Sequence, residues 1–110
     1  MALRRWTLEG AREMFPDIRA RTARAVEAVE RAEGEAASPD PVRRAAARRR
    51  LDEIAGRWVR EMEALGVEAK GPWCVDFDNG SGYYCWRWPE PELAYFRGYR
   101  DGECARTRIQ

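Results

Sequence analysis

The stretch CVDFDNGSGYYCWRW, residues 74–88, decides the fold. Trp73, Val75 and Phe77 alternate with Cys74, Asp76 and Asp78, which is the period of a half-buried strand. Residues 83–88 read as the return strand, and Asn79-Gly80 between the two is the strongest short-range hairpin signal. A tight turn at that dipeptide sets Cys74 opposite Cys85 and Asp76 opposite Tyr83. A longer loop running through Gly82 shifts the register and separates the cysteines.

Downstream, Pro89 and Pro91 break the return strand, and residues 93–97 can form a third antiparallel strand before the GYRDG turn. Nine of the chain's twelve aromatic residues lie beyond residue 70. Upstream the pattern is helical. Thr7 can cap a first short segment, with Trp6 packing back on it, and Pro16 then starts a helix to about Glu33. On that helix Ile18, Thr22, Ala25, Val26, Val29 and Ala32 form one thin apolar face, with acid-first Asp17–Arg21 and Glu27–Arg31 pairs on the other side. A loop over residues 34–41 leads through the Asp40 cap and Pro41 into a second helix that ends at Gly66. Leu51, Ile54, Trp58, Met62 and Leu65 line its seam. The expected fold is α+β. A long antiparallel helix hairpin (residues 1–66) packs against a small three-stranded antiparallel sheet and C-terminal turn (residues 67–110), within a single domain.

Composition narrows the function classes. With 110 residues and a net charge of +1, the chain is one domain and not a strongly basic nucleic-acid protein. It lacks a long apolar run and a signal-like start, and its three cysteines have no paired spacing, which together point to a soluble protein of the reducing cytoplasm. The absence of histidine removes the commonest general base and most zinc or iron sites. Neither a cofactor nor a metal is expected, because three cysteines fall one ligand short of an all-Cys zinc site.

Four groups of residues invite a functional reading. The run VRRAAARRR, residues 42–50, points its arginines nearly all round a helix, and Asp52 and Glu53 answer Arg48 and Arg49 four residues on. That is a solvated face, and the reading is against nucleic acid. Cys74 and Cys85 read as sheet packing, since nothing nearby would lower a thiol pKa. Asp78 is a turn residue, whereas Asp76 within an aromatic sheet needs a donor that Arg87 or Arg97 can supply. The aromatic cluster serves as core and interface, because a helix hairpin covers only one of a sheet's two faces.

The fragments WTLEGAREMFPDIR, EALGVEAK, VDF, YYCWRW, Glu90 and the closing GYRDGE with Arg106 resemble, in that order, the uncharacterised prokaryotic family known as domain of unknown function 2203. Cys85, Trp86 and Glu90 carry the most specific part of the likeness, and it runs in pieces over nearly the whole chain. Phe96-Arg97 stands where the family pattern tends to show Trp-His, and Pro89 stands where Gly often precedes the Glu. The resemblance implies a relative rather than an activity, and it directs attention to Asp76, Cys85, Trp86, Glu90 and Arg106 together.

The expected function is a non-enzymatic, homodimeric interaction or regulatory module that offers an aromatic sheet surface to a protein or small-molecule partner. The candidate binding residues are Asp76, Tyr84, Trp86, Arg87, Glu90, Glu92, Tyr95, Arg97 and Arg106. The thin stripe of the first helix and the seam of the second point to a homodimer completing a four-helix bundle. The alternatives are a small-ligand or metal site around Asp76, Glu90 and Arg97, and RNA binding by ring stacking with arginine contacts.

Overall fold

The computed structural model describes residues 4–102 and 105–110. Two helices, α1 (Leu8–Ala36) and α2 (Pro41–Ala64), pack antiparallel. Five strands follow: β1 (Glu68–Ala69), β2 (Cys74–Asp78), β3 (Gly82–Arg87), β4 (Tyr95–Gly98) and β5 (Thr107–Arg108). They form one antiparallel sheet in sequence order. The α+β hairpin-and-sheet architecture stands, but the sheet has five strands rather than three. The two added edges are two-residue strands, too short to leave any periodic pattern. The third expected strand begins later, at Tyr95, because Leu93 turns fully into the core instead.

The helix caps are those the sequence calls for. The Thr7 hydroxyl accepts from the Gly10 N–H, and the Asp40 carboxylate accepts from the Val42 N–H ahead of Pro41. At the end of α2 the Val67 N–H reaches the Met62 carbonyl and the Gly66 N–H reaches that of Glu63, the pair of bonds of a Schellman motif.

Pro16 does not start a helix. It sits inside α1, which runs without a break to Ala36, three residues past the expected stop. An interior proline costs about 3 kcal/mol. Phe15 and Ile18 on either side of it are buried, and each such side chain contributes about 1.5–3 kcal/mol. Packing on both sides of the proline therefore outweighs its local cost.

The hairpin between β2 and β3 keeps a two-residue turn but shifts it by one residue, which separates the two cysteines. Asp76 faces Cys85, Cys74 faces Arg87, and Tyr83 faces Asp78. The Asn79 N–H closes on the Gly82 carbonyl at 2.9 Å, so the central turn residues are Gly80 and Ser81 rather than Asn79 and Gly80. Gly80 has a φ of 92°, the first-position requirement of a II′ turn, while the Asn79 side chain accepts from the Ser81 and Gly82 N–H groups. Gly82 faces a second constraint, since a Cβ there would overlap the Arg97 carbonyl oxygen of β4. The register is thus set by three strands and not by the turn dipeptide alone.

One core joins the layers. Ala11, Phe15 and Ile18 of α1 and Trp58 and Met62 of α2 meet Val75, Phe77 and Trp86 of the sheet, with Trp6 and Leu93 closing the ends. Trp6 stands edge-on to Phe77 and Phe15 edge-on to Trp86, at centroid distances of 5.1 and 5.4 Å. The Trp58 indole N–H donates to the Thr22 hydroxyl, which donates in turn to the Ile18 carbonyl, tying the helices by a buried relay. Beyond Thr22 the buried side chains of the hairpin are only Ala32 and Ala47, so its far half is a thin two-helix arm. Among the described residues no helix is long and apolar enough to cross a membrane.

Candidate functional site

The helices cover one face of the sheet. Register places Cys74, Asp76 and Asp78 of β2 on the opposite face, together with Tyr83, Cys85 and Arg87 of β3 and Tyr95 and Arg97 of β4. Asp76 and Arg97 form the centre of this outer face. They sit on strands flanking β3, and the Arg97 side chain crosses Cys85 so that its Nη2 donates to the Asp76 carboxylate. Both are buried, 4% and 9% exposed. The Arg97 Nη1 donates to the Asp101 carbonyl at 2.8 Å, and the guanidinium lies 4.9 Å from the Tyr83 ring centroid. Of the two partners available to Asp76 in the sequence, Arg97 is the one that supplies the counter-charge.

Cys85 lies beneath this pair. Burial first, then the neighbouring Asp76, pushes its thiol up to about 12. It stays protonated at neutral pH and is a poor nucleophile.

A second pair stands alongside. The Glu90 carboxylate accepts both Arg106 guanidinium nitrogens, at 3.0 and 2.7 Å, and also the Arg87 N–H at 2.8 Å. Burial alone would raise its pKa, but the arginine fork and the backbone N–H overcome this and hold the carboxyl below its ordinary value. Arg106 lies over the Tyr95 ring at 4.0 Å. The carbonyls of Pro89 and Glu90 accept from Arg19 of α1, and the Trp86 indole donates to the Glu90 carbonyl. Glu90 is therefore anchored to both helix and sheet.

A third cluster closes one corner. Asp78 accepts from the Tyr99 hydroxyl, the Gly80 N–H and Arg5, and these overcome the effect of burial and lower its pKa.

The nine candidate residues divide. Asp76, Arg87, Tyr95, Arg97 and Arg106 share the outer face, with Glu90 reaching it through Arg106. Tyr84 and Trp86 point the other way, into the helix-covered core, and Glu92 is exposed beyond the sheet. Asp76 and Glu90 do not converge on one point, since each carboxylate is committed to a different arginine. Tyr83, which the sequence placed on this face, now faces Asp78, and Tyr99 joins it there through its ring contact with Tyr83 and its hydroxyl bond to Asp78 although the sequence did not single it out. The depression bounded by Asp76, Cys85, Arg97 and Arg106 has a free volume of about 10 Å³, room for about one water molecule. Among the described residues no three His, Cys, Asp or Glu side chains come together as metal ligands, and no buried side-chain polar atom lacks a partner.

The helix hairpin and the ion-paired sheet face define a small α+β protein. The chain belongs to the family described as an uncharacterised conserved protein, DUF2203, whose model matches residues 4–109. No curated protein and no solved structure matches it.

Proposed function

We propose that this chain is a non-enzymatic, homodimeric interaction module whose contact surface is the outer face of the sheet. One observation carries the reading: this face lies away from the helices, and its central charges are buried and already paired within the chain around a depression with room for about one water. Asp76, Glu90 and Arg97 already hold hydrogen bonds within the chain, so a small ligand would have to displace those partners to engage them.

The chemistry of the face suits a two-fold contact. It carries Glu68 with Lys70, Asp78 with Arg5 and Glu90 with Arg106, with tyrosine rings between them. Both signs on one patch allow the patch to face itself, as an isologous interface requires. Tyrosine and arginine are also the side chains enriched at protein contacts.

Native mass spectrometry across a concentration series tests the reading. A dimer is expected, and Tyr99→Glu, at a position 44% exposed, is expected to leave a folded monomer. A wild-type chain that stays monomeric at every concentration overturns it.

A further inference from the structure

The arm of the molecule away from the sheet carries a different kind of surface. Between α1 and α2 runs an open groove of about 840 Å³, walled by Arg21, Arg24, Arg49, Arg50, Arg57 and Arg60. The carboxylates in the wall are those of Glu53 and Glu61, so six guanidiniums face two acids. Arg21 is paired with Asp17 and Glu61. Among the described residues the other five have no carboxylate within 4.0 Å, so the Arg49–Glu53 pair expected from the sequence does not form. Two arginines come from α1 and four from α2, so only the antiparallel packing gathers them on one side.

The floor is small and apolar: Ala25 and Ala28 of α1, Ala46 and Ile54 of α2. Small side chains let another backbone approach closely, and the two-helix arm has almost no core of its own here. Along α2 the groove covers residues 46–61, roughly 24 Å at about 1.5 Å per residue.

We propose that this groove seats an acidic amphipathic helix of about four turns from another protein, completing a three-helix bundle. The apolar stripe of the incoming helix lies on the alanine and isoleucine floor, and acidic residues on its two flanks meet the arginine walls. Charge complementarity selects the occupant. A second copy placed by a two-fold axis would set the same five unpaired arginines against each other. Single nucleic-acid strands bind most tightly where rings stack on their bases, and the ring in the groove, Trp58, is 2% exposed and hydrogen-bonded to Thr22, so a polyanion here would be held by charge alone. Helix-in-groove recognition uses an apolar strip between charged edges, which is the arrangement present.

The test is a fluorescence-anisotropy titration of the whole chain with a labelled synthetic peptide of about 16 residues. The peptide carries leucine and alanine at the inward heptad positions and glutamate at the flanking ones. A shuffled peptide of identical composition and a single-stranded RNA of the same charge serve as comparisons. The amphipathic peptide is expected to bind, with affinity falling as salt is raised, and to bind at least about tenfold more tightly than either comparison. Arg24→Gln, Arg49→Gln and Arg57→Gln together weaken it by about tenfold, three charge pairs at the edge of a contact. These side chains are exposed, and a thermal melt equal to that of the unsubstituted chain shows that the variant is folded. Equal binding of the shuffled peptide or of the RNA overturns the proposal in favour of a generic polyanion surface. Absence of peptide binding, or binding unchanged by the triple substitution, also overturns it. So does a peptide-blocked dimer that these substitutions abolish, because the groove would then belong to a second copy.

Discussion

The outer sheet face and the hairpin groove are both rich in arginine, and they use it in opposite ways. On the sheet each key guanidinium is buried or half-buried and spent within the chain: Arg97 on Asp76 and Arg106 on Glu90. In the groove Arg24, Arg49, Arg50, Arg57 and Arg60 are exposed and without a carboxylate partner among the described residues. Burial accounts for the contrast. A charge taken out of water must be paired, or it costs several kcal/mol, whereas a charge left in water needs no partner inside its own chain. Arginine on the sheet is thus part of the fold, and arginine in the groove is available to another molecule.

The largest expected effect breaks the sheet pair. Arg97→Ala leaves Asp76 buried and uncompensated, and urea unfolding should show a loss of about 3–5 kcal/mol. Replacing both partners by well-packed apolar residues should recover much of that loss, since it is the orphaned charge that is costly. A single variant as stable as the unsubstituted chain would erase the distinction between the two regions.

Next comes Glu90→Gln, expected to cost on the order of 1–2 kcal/mol at neutral pH through the weakened Arg106 fork. Its sign with pH is fixed. The Glu90 carboxyl lies below its ordinary 4.5 in the folded chain, so its stabilisation is fully present above that value and is lost as pH falls through the lowered folded one. The variant should therefore show a flatter stability profile than the unsubstituted chain below about pH 4.5. Parallel profiles would mean that the Arg106 contact contributes nothing to folding.

The smallest effect belongs to the groove. Arg24→Gln, Arg49→Gln and Arg57→Gln should each change the unfolding free energy by less than about 0.5 kcal/mol. A loss several times larger would show that these arginines hold the fold, and the contrast with the sheet would fail.

The sequence made some of this legible and not the rest, for physical reasons. The capping residues Thr7, Asp40 and Gly66 act on their own backbone and could be read locally. So could the demand of Asp76 for a counter-charge, which follows from burying an acid among rings. Pro16 misled because its local preference is overruled by Phe15 and Ile18, whose burial is decided by distant residues. The hairpin register misled because Gly82, not Asn79-Gly80, makes the close approach to β4. That Tyr84 and Trp86 face the helices could not be read from the sequence, since alternation tells which residues share a face but not which face the helices cover. The groove was illegible for a different reason. On α2 alone its arginines point in many directions, and their common side exists only once α1 lies beside them.

Hydrogen–deuterium exchange tests this division of labour most directly, measured on the chain at low and high concentration and with the acidic amphipathic peptide added. The expected result is protection of β3 and β4 as concentration rises, and separate protection of residues 21–28 and 46–61 when the peptide is present. Peptide-induced protection on the sheet, or concentration-dependent protection confined to the helix groove, would contradict it.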